Sequence, residues 1–139
     1  MIEFHYLAEF ELNEPTRYSD WISRVLTVEA WQLGNINYIF CDDNYLHDLN
    51  VRYLNHDTLT DIITFDYTAG REISGDIFIS VERIEDNASL LKTPFYEELK
   101  RVMIHGILHL QGHSDKSDEE KAQMRGLEEE KMKLFHVEH

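Results

Sequence analysis

The sequence has little of what marks secreted, membrane-spanning or disulfide-stabilised proteins. Its 139 residues include one cysteine, Cys41, which excludes an internal disulfide and indicates a reducing compartment. Cys41 follows an apolar stretch and is expected to be a packed thiol. No apolar run approaches the roughly 18 residues that cross a bilayer, and the N-terminus is neither basic nor followed by an apolar segment, unlike a signal peptide. We therefore expect a cytoplasmic protein with no membrane contact.

Basic residues are also scarce. The chain has 13 Lys and Arg against 27 Asp and Glu, which gives a formal net charge of -14 at pH 7. The positive residues form no tail and no block, so the sequence does not encode tight, sequence-independent binding to a polyphosphate, and DNA is not expected as a partner. If nucleic acid is the substrate, contact must rest on a local patch or on a partner protein.

Repeats, low-complexity segments and linkers are absent, so residues 1–139 are expected to form one domain. Apolar and alternating segments predict four strands, at residues 2–12, 36–40, 61–67 and 76–80. Helical spacing predicts five helices, whose apolar positions fall within residues 21–30, 46–54, 81–91, 95–108 and 118–135. Strands dominate the first part of the chain and helices the last, and this order predicts an α+β fold.

Two helix starts carry clear capping signals. Thr93 offers a capping hydroxyl, and Pro94 suits the first position of the helix that follows. Ser117 followed by Glu120 three residues later predicts a capping box for the last helix. The acidic run at residues 128–130 of that helix is expected to form a solvated face.

The segment from His105 to Asp115 contains the strongest chemical signal. His105 and His109 are four residues apart, so on a helix both imidazoles lie on one face, with Cβ atoms about 5–6 Å apart. Gly112 can end the helix in a left-handed conformation and return Asp115 to the same point. His113 is the rival third ligand, but on a continued helix it would lie about 12 Å from His105 along the axis. We therefore predict that His105, His109 and Asp115 bind one metal ion.

Histidine pairs at this spacing also occur by chance. The apolar setting of residues 103–110 favours a metal, because an ion satisfies imidazoles that would otherwise be unpaired there. The H-x-x-x-H-x-x-G-x-x-ligand spacing is that of the metzincin zinc site, and three protein ligands leave the fourth zinc position for water. Metzincin peptidases carry a glutamate general base directly after the first histidine, and here that position is Gly106. The motif thus predicts one zinc ion and a hydrolase, and argues against a peptidase.

Three segments contain further motifs in a characteristic order. Residues 105–112 read H-G-x-L-H-L-x-G, residues 49–65 contain L-N-x-R followed by T-D-I-I-T-F, and residues 74–79 read S-G-D-I-F-I. Together they resemble the YbeY family, bacterial metal-dependent endoribonucleases of ribosomal RNA maturation. The sequence departs from the family at Asp115, where most members have a third histidine. Aspartate is also a good zinc ligand, so the site is expected to persist.

The resemblance implies a fold, an activity and partners. The fold would be a single α+β domain with a small mixed four-stranded sheet, about five helices and the metal site on a late helix. The activity would be metal-dependent hydrolysis of RNA phosphodiesters, with Zn²⁺ as cofactor, in processing of small-subunit ribosomal RNA and in ribosome quality control. Partners would be ribosomal RNA and ribosomal or ribosome-assembly proteins. Two alternatives stay open: a hydrolase of another class, such as a peptidase, and a non-enzymatic assembly factor with a structural metal.

Three further residues are candidates for a role beside the metal. Arg52 is the candidate catalytic residue, because a guanidinium is always charged and can hold a scissile phosphate through two parallel hydrogen bonds. Asp61 and Asp76 stand at predicted strand starts and could cap a strand or orient a ligand histidine.

Overall fold

The computed structural model describes residues 1–55 and 60–136. Its strands are β1 (Ile2–Tyr6), β2 (Gln32–Cys41), β3 (Ile62–Asp66) and β4 (Glu72–Ser80). Its helices are α1 (Pro15–Val28), α2 (Asp43–Leu54), α3 (Val81–Leu91), α4 (Phe95–Leu110) and α5 (Asp118–Met132), followed by a 3₁₀ helix over Lys133–His136. Within these ranges the predicted α+β fold, with four strands and five α-helices, is confirmed.

The four strands form one mixed sheet in the order β1-β2-β4-β3. β1 and β2 are parallel, as are β2 and β4, whereas β3 runs antiparallel to β4. The central strands β2 and β4 alternate between buried and partly exposed positions, and Tyr38, Phe40 and Ile77 are fully buried. The mixed sheet implied by the family resemblance is therefore present.

Helix α4 packs against the sheet and positions the candidate site. Its fully buried side chains include Leu99, Met103, Ile104, Ile107 and Leu108. The Tyr38 hydroxyl donates a hydrogen bond of 2.9 Å to the Met103 carbonyl, which ties α4 to β2. Gly106 also faces the sheet, where a Cβ would lie 3.0 Å from Ile77 Cγ2 and 3.1 Å from Ile62 Cδ1. A Cβ at position 106 would require these isoleucine side chains to shift by a few tenths of an ångström, so glycine allows close packing of α4 on the sheet.

Helix α5 begins at the predicted capping box and is held at its far end by α1. The Glu120 N–H donates to Ser117 Oγ over 3.1 Å, and the Ser117 N–H donates to Glu120 Oε1 over 3.0 Å. The Trp21 indole N–H donates to the Lys131 carbonyl over 2.8 Å. These contacts at both ends set which face of α5 meets α4.

The start of α4 differs from the prediction. Thr93 does not cap the helix, because Pro94 occupies the N-cap position and no side chain bonds the first turn. The Thr93 N–H instead donates to the Ala88 carbonyl over 3.0 Å, directly after Lys92 adopts a left-handed φ of 55°. The backbone of Thr93 therefore helps to end α3. The position of Thr93 directly before a proline does not indicate this role.

The first strand is shorter than predicted, ending at Tyr6 instead of residue 12. Tyr6 pairs with Phe40, and β2 ends one residue later at Cys41. Beyond Tyr6, β1 therefore has almost no length of β2 left to pair with.

Cys41 is buried, which confirms a packed thiol. Burial, and to a smaller extent the charge of Asp42, raise the pKa of the thiol to about 12. Across the described ranges, no helix combines the length and apolarity needed to span a membrane.

Candidate metal centre

The outward face of α4 carries two histidines that meet at their Nε2 atoms. His105 and His109 are about one helical turn apart, and both are partly exposed while most of their neighbours in the helix are buried. Their Nε2 atoms lie 2.8 Å apart, with the ring planes at 79°. Two imidazole nitrogens at this distance require a proton or a cation between their lone pairs.

The chain reverses at Gly112, as predicted. Gly112 has a φ of 96°, in the left-handed region that favours glycine. Its N–H donates to the His109 carbonyl, and the His113 N–H donates to the Leu108 carbonyl, each over 3.0 Å. These two hydrogen bonds form a Schellman motif, a common way to end a helix. The residues that follow are thereby directed back toward the histidines.

Asp115 completes a three-residue cluster. Its Oδ2 lies 3.2 Å from His105 Nε2 and 3.7 Å from His109 Nε2. One ligand atom from each residue lies within 4.8 Å of the others. Ligands bound at 2.0–2.1 Å in tetrahedral geometry are about 3.3 Å apart, so these separations fit a single ion with little rearrangement. The two imidazoles and the carboxylate could therefore hold a metal ion.

His113 lies outside this cluster. It follows directly after the left-handed Gly112 and is exposed. In the described part of the chain, the three-residue group of His105, His109 and Asp115 is the only set of His, Cys, Asp or Glu residues with ligand atoms close enough to hold an ion. The geometry thus favours Asp115 over His113 as the third residue.

Glu128 contacts His105 from α5, a role that the sequence did not reveal. Its Oε2 lies 2.6 Å from His105 Nδ1, and the residue is only 5% exposed. The expected solvated face at residues 128–130 is therefore wrong for Glu128, although Glu129 and Glu130 are exposed. Glu128 lies four residues after the buried Met124, so a helical projection anchored on Met124 would have placed it inward.

The carboxylate of Glu128 is itself held by Arg101. Arg101 Nη1 lies 3.2 Å from Glu128 Oε1, and its Nε lies 3.7 Å from Oε1 of the buried Glu98. Glu128 thus joins an imidazole on one side to a guanidinium on the other. A histidine whose second ring nitrogen bonds a carboxylate is fixed in orientation, with its remaining nitrogen free for a metal.

The electrostatic environment favours positive charge at His105. Burial alone would lower the pKa of His105, but the hydrogen bond and charge of Glu128, with other nearby carboxylates, outweigh it and raise the pKa. Burial and the neighbouring His105 lower the pKa of His109, while the charge of Asp115 and a hydrogen bond to the backbone of His113 act in the opposite sense. The carboxylates that raise the pKa of His105 would also attract a metal cation, which binds the deprotonated imidazole.

Two cavities flank the cluster. The first, of about 350 Å³, lies between α4 and α5 and is lined by residues that include Asp61, His105, Asp115 and Glu128. The second, of about 420 Å³, lies beside His109 and is lined also by Asn50, Leu54, Thr60, Ile62, Ile63 and Thr64. The cluster is therefore open to small molecules or chain segments from two sides.

The other predicted residues lie in different surroundings. Asp61 lines the first cavity, and burial raises the pKa of its carboxyl. Asp76 accepts a hydrogen bond of 3.1 Å from Asn37 Nδ2 on β2 and lines neither of the two cavities. Arg52 stands in the last turn of α2 with its side chain 66% exposed, and its Nε lies 3.3 Å from Asp48 Oδ2. Arg52 also lines neither cavity, although residues 50 and 54 of the same helix line the second.

Comparisons with known proteins agree with the fold and the motif. A family model described as Endoribonuclease YbeY matches residues 7–136. A Flavobacterium johnsoniae protein named Endoribonuclease YbeY is 60% identical over 138 residues, with 99% of each chain covered. A Christiangramia forsetii protein of the same name is 52% identical over 137 residues, covering 99% of this chain and 96% of the relative.

A solved structure shares the architecture. The solution structure of a Thermotoga maritima protein has a TM-score of 0.67 and 23% sequence identity, and the match covers 97% of this chain and 89% of that chain. At this identity the similarity supports the fold alone. The family model and the two relatives together cover nearly the whole sequence. The chain belongs to the YbeY family.

Proposed function

We propose that this chain is a metal-dependent endoribonuclease that hydrolyses single-stranded RNA phosphodiesters during maturation and quality control of small-subunit ribosomal RNA. The names of its relatives support endoribonuclease activity. The observation that supports metal-dependent hydrolysis is that His105, His109 and Asp115 lie close together between two cavities. Such a substrate would place the protein in the cytoplasm.

The proposed ligands are His105 Nε2, His109 Nε2 and Asp115 Oδ2, with one Zn²⁺ per chain. Two imidazole nitrogens and one carboxylate oxygen form a donor set that suits zinc, and three protein ligands leave a position open. When bound, the ion would supply an activated water molecule for hydrolysis and polarise a phosphoryl oxygen. Glu128 would hold His105 in the orientation that presents Nε2 to the ion.

The packing of Gly106 argues against a peptidase of the metzincin type. Those enzymes use a glutamate at this position as general base. Here the position faces Ile62 and Ile77 of the sheet, on the side of α4 that packs against the core. A base, if one is needed, must therefore come from another element. Asp61 is one available carboxyl, since it lines the cavity beside His105.

The proposed partners are ribosomal RNA and ribosomal or assembly proteins with basic surfaces. A net charge of -14 opposes long-range attraction to RNA, so the isolated protein is expected to bind RNA weakly. A basic partner would supply the missing attraction and the site selectivity.

The direct test is cleavage of a ribosomal RNA fragment by the purified protein. We expect cleavage after Zn²⁺ is added to metal-stripped protein, and none while a chelator is present. The products should be internal fragments and not mononucleotides released from an end. Metal-stripped protein that cleaves at the same rate as the zinc-loaded protein would contradict the proposal.

Removal of the Glu128 carboxylate should weaken metal binding without removing a ligand. We expect Glu128→Ala to lower zinc affinity about 10–100-fold, the usual effect of losing a residue that orients a ligand histidine. Glu128→Gln should retain more affinity, because its amide oxygen can still accept from Nδ1–H. The measurement is competition with a chromophoric zinc chelator. Glu129→Ala is the matched control, since it removes the same charge from an exposed position on the same helix, and equal losses in both variants would show that Glu128 acts through charge alone.

Arg52 remains the proposed phosphate-binding residue on the side of the second cavity. We expect Arg52→Ala to leave folding and metal content unchanged and to lower RNA cleavage about tenfold, because an exposed guanidinium paired with Asp48 is screened by solvent. Arg52→Lys should rescue only part of the loss, because an ammonium cannot make the bidentate contact. Asp48→Ala serves as the control that disrupts the ion pair but keeps the guanidinium. Cleavage by Arg52→Ala at the wild-type rate would remove Arg52 from the mechanism.

A further inference from the structure

Several cations of this acidic chain are already paired with carboxylates. The ion pairs include Arg17 with Glu14, Arg52 with Asp48, Arg83 with Asp43, Lys100 with Glu97 and Arg101 with Glu128. A paired guanidinium or ammonium must give up its partner before it can bind a phosphate. Cations without such partners are therefore the ones most available to RNA.

Lys121 and Arg125 stand beside the candidate metal centre without such partners. They are four residues apart on α5, both are exposed, and both line the cavity that His105 and Asp115 also line. Within the described ranges neither side chain forms an ion pair or a side-chain hydrogen bond. Residues at this spacing lie on one helix face, so the two positive groups can reach one anion together.

The buried side of this cavity carries acidic residues, and its exposed side carries basic residues. The acidic residues Glu98 and Glu128 are each 5% exposed, and both lie near Arg101. Lys121 and Arg125 lie at the exposed side. An anionic backbone is thereby repelled from the floor and attracted to the rim, which orients an RNA strand with a phosphate outward and its sugar or base inward.

The floor also offers an acceptor that no hydrogen bond satisfies. Glu98 Oε1 is buried and accepts no hydrogen bond within the described part of the molecule. A buried acceptor in this condition is costly unless a ligand or water donates to it. Arg101 Nε lies 3.7 Å from this oxygen, which is an ion pair but too long for a hydrogen bond. A ribose hydroxyl is a donor of the right kind, and it is the group by which proteins distinguish RNA from DNA.

From these observations we infer that the cavity between α4 and α5 is a nucleotide subsite, in which Lys121 and Arg125 bind the phosphate that neighbours the scissile one. The cavity volume of about 350 Å³ is within the range of small-ligand sites. This inference rests on the proposed ribonuclease function and adds the residues that hold the substrate. It also supplies a local basic patch on a chain that otherwise repels RNA.

The test compares two variants from which the same charge is removed. Lys121→Ala/Arg125→Ala removes the proposed phosphate ligands, and Lys92→Asn/Lys133→Ala removes two cations that do not line this cavity. Asparagine is used at position 92 because it tolerates the left-handed φ of that residue. Binding of a fluorescent single-stranded RNA is measured by anisotropy against salt concentration on chelator-treated protein, and cleavage is measured on the zinc-loaded protein. Metal content and circular dichroism verify that each variant is folded.

We expect the first variant to bind RNA about tenfold more weakly and to show a raised KM with little change in kcat. The slope of log affinity against log salt should become shallower by about 0.7 for each phosphate that the variant no longer neutralises. The control pair should change the slope far less. The exchanged variant Lys121→Arg/Arg125→Lys should retain most of the affinity, because both positions keep a positive charge.

Two results would overturn the inference, and they are distinguishable. If wild type cleaves RNA but the two charge-removal variants have the same affinity and slope, the subsite is wrong and the proposed function stands. If wild-type protein loaded with zinc neither binds nor cleaves RNA, the proposed function fails and the subsite fails with it.

Discussion

Replacement of His105 by alanine is expected to remove both the metal ion and RNA cleavage. The Nε2 atom of His105 is the one closest to both other proposed ligands, at 2.8 Å from His109 Nε2 and 3.2 Å from Asp115 Oδ2. Without it two ligands remain, which is below the three that a catalytic zinc site requires. The buried Glu128 would also be left without its imidazole partner, which costs stability.

Elemental analysis should find about one equivalent of zinc in wild type and far less than one in His105→Ala. His5→Ala is the control, since it removes an exposed imidazole on β1 that bonds Asn37 and none of the proposed ligands. Thermal unfolding shows whether the variant remains folded. If cells that carry only His105→Ala process ribosomal RNA at the wild-type rate although the variant lacks the ion, the ion is not catalytic, and the non-enzymatic assembly-factor alternative is favoured.

Alanine at Asp115 is expected to have nearly as large an effect, and alanine at His113 almost none. Asp115 Oδ2 lies within 3.7 Å of both histidine Nε2 atoms, whereas His113 is exposed and outside the cluster. We expect Asp115→Ala to lower zinc affinity about 100-fold or more, because the remaining two ligands cannot enclose the ion. His113→Ala should retain wild-type zinc content, measured by titration of metal-stripped protein.

Asp115→His distinguishes the ligand role of Asp115 from its charge. Imidazole is also a good zinc ligand, so this variant should keep the ion while the site loses one negative charge. A carboxylate ligand makes a bound water less acidic than a neutral imidazole does, so the histidine variant should reach its maximal rate at lower pH. Retention of zinc by Asp115→Ala together with its loss from His113→Ala would reverse the ligand assignment.

The cluster is predictable from sequence because all three proposed ligands lie within eleven residues of one chain segment. Helical spacing places His105 and His109 on one face, and a left-handed glycine is a local feature that its neighbours can reveal. The same reasoning predicts the α+β order, the five helices and the capping box at Ser117. These features depend on interactions between residues close in sequence.

Features that depend on distant contacts are not predictable in this way. Glu129 and Glu130, which follow Glu128, are charged and exposed, and they indicate a solvated residue. Its burial is decided by Arg101 and His105 on another helix, 27 and 23 residues away. The role of Thr93 depends on the short connection between α3 and α4, in which one residue can serve either helix. Glycine at position 106 allows α4 to pack closely against Ile77 on β4, and the local sequence does not show this contact.

If His105 binds the proposed ion, the contacts from Arg101 through Glu128 to His105 couple its binding to the docking of α5. An ion that binds only the folded state stabilises it by mass action, about 2.7 kcal/mol at a free concentration of 100 times Kd. Glu128 can hold His105 only while α5 is docked, so release of the ion and undocking of α5 favour one another. Cellular zinc supply would thus set how much of this protein survives proteolysis, as well as how much of it is active. A shortage of the ion would therefore lower the amount of this protein in the cell.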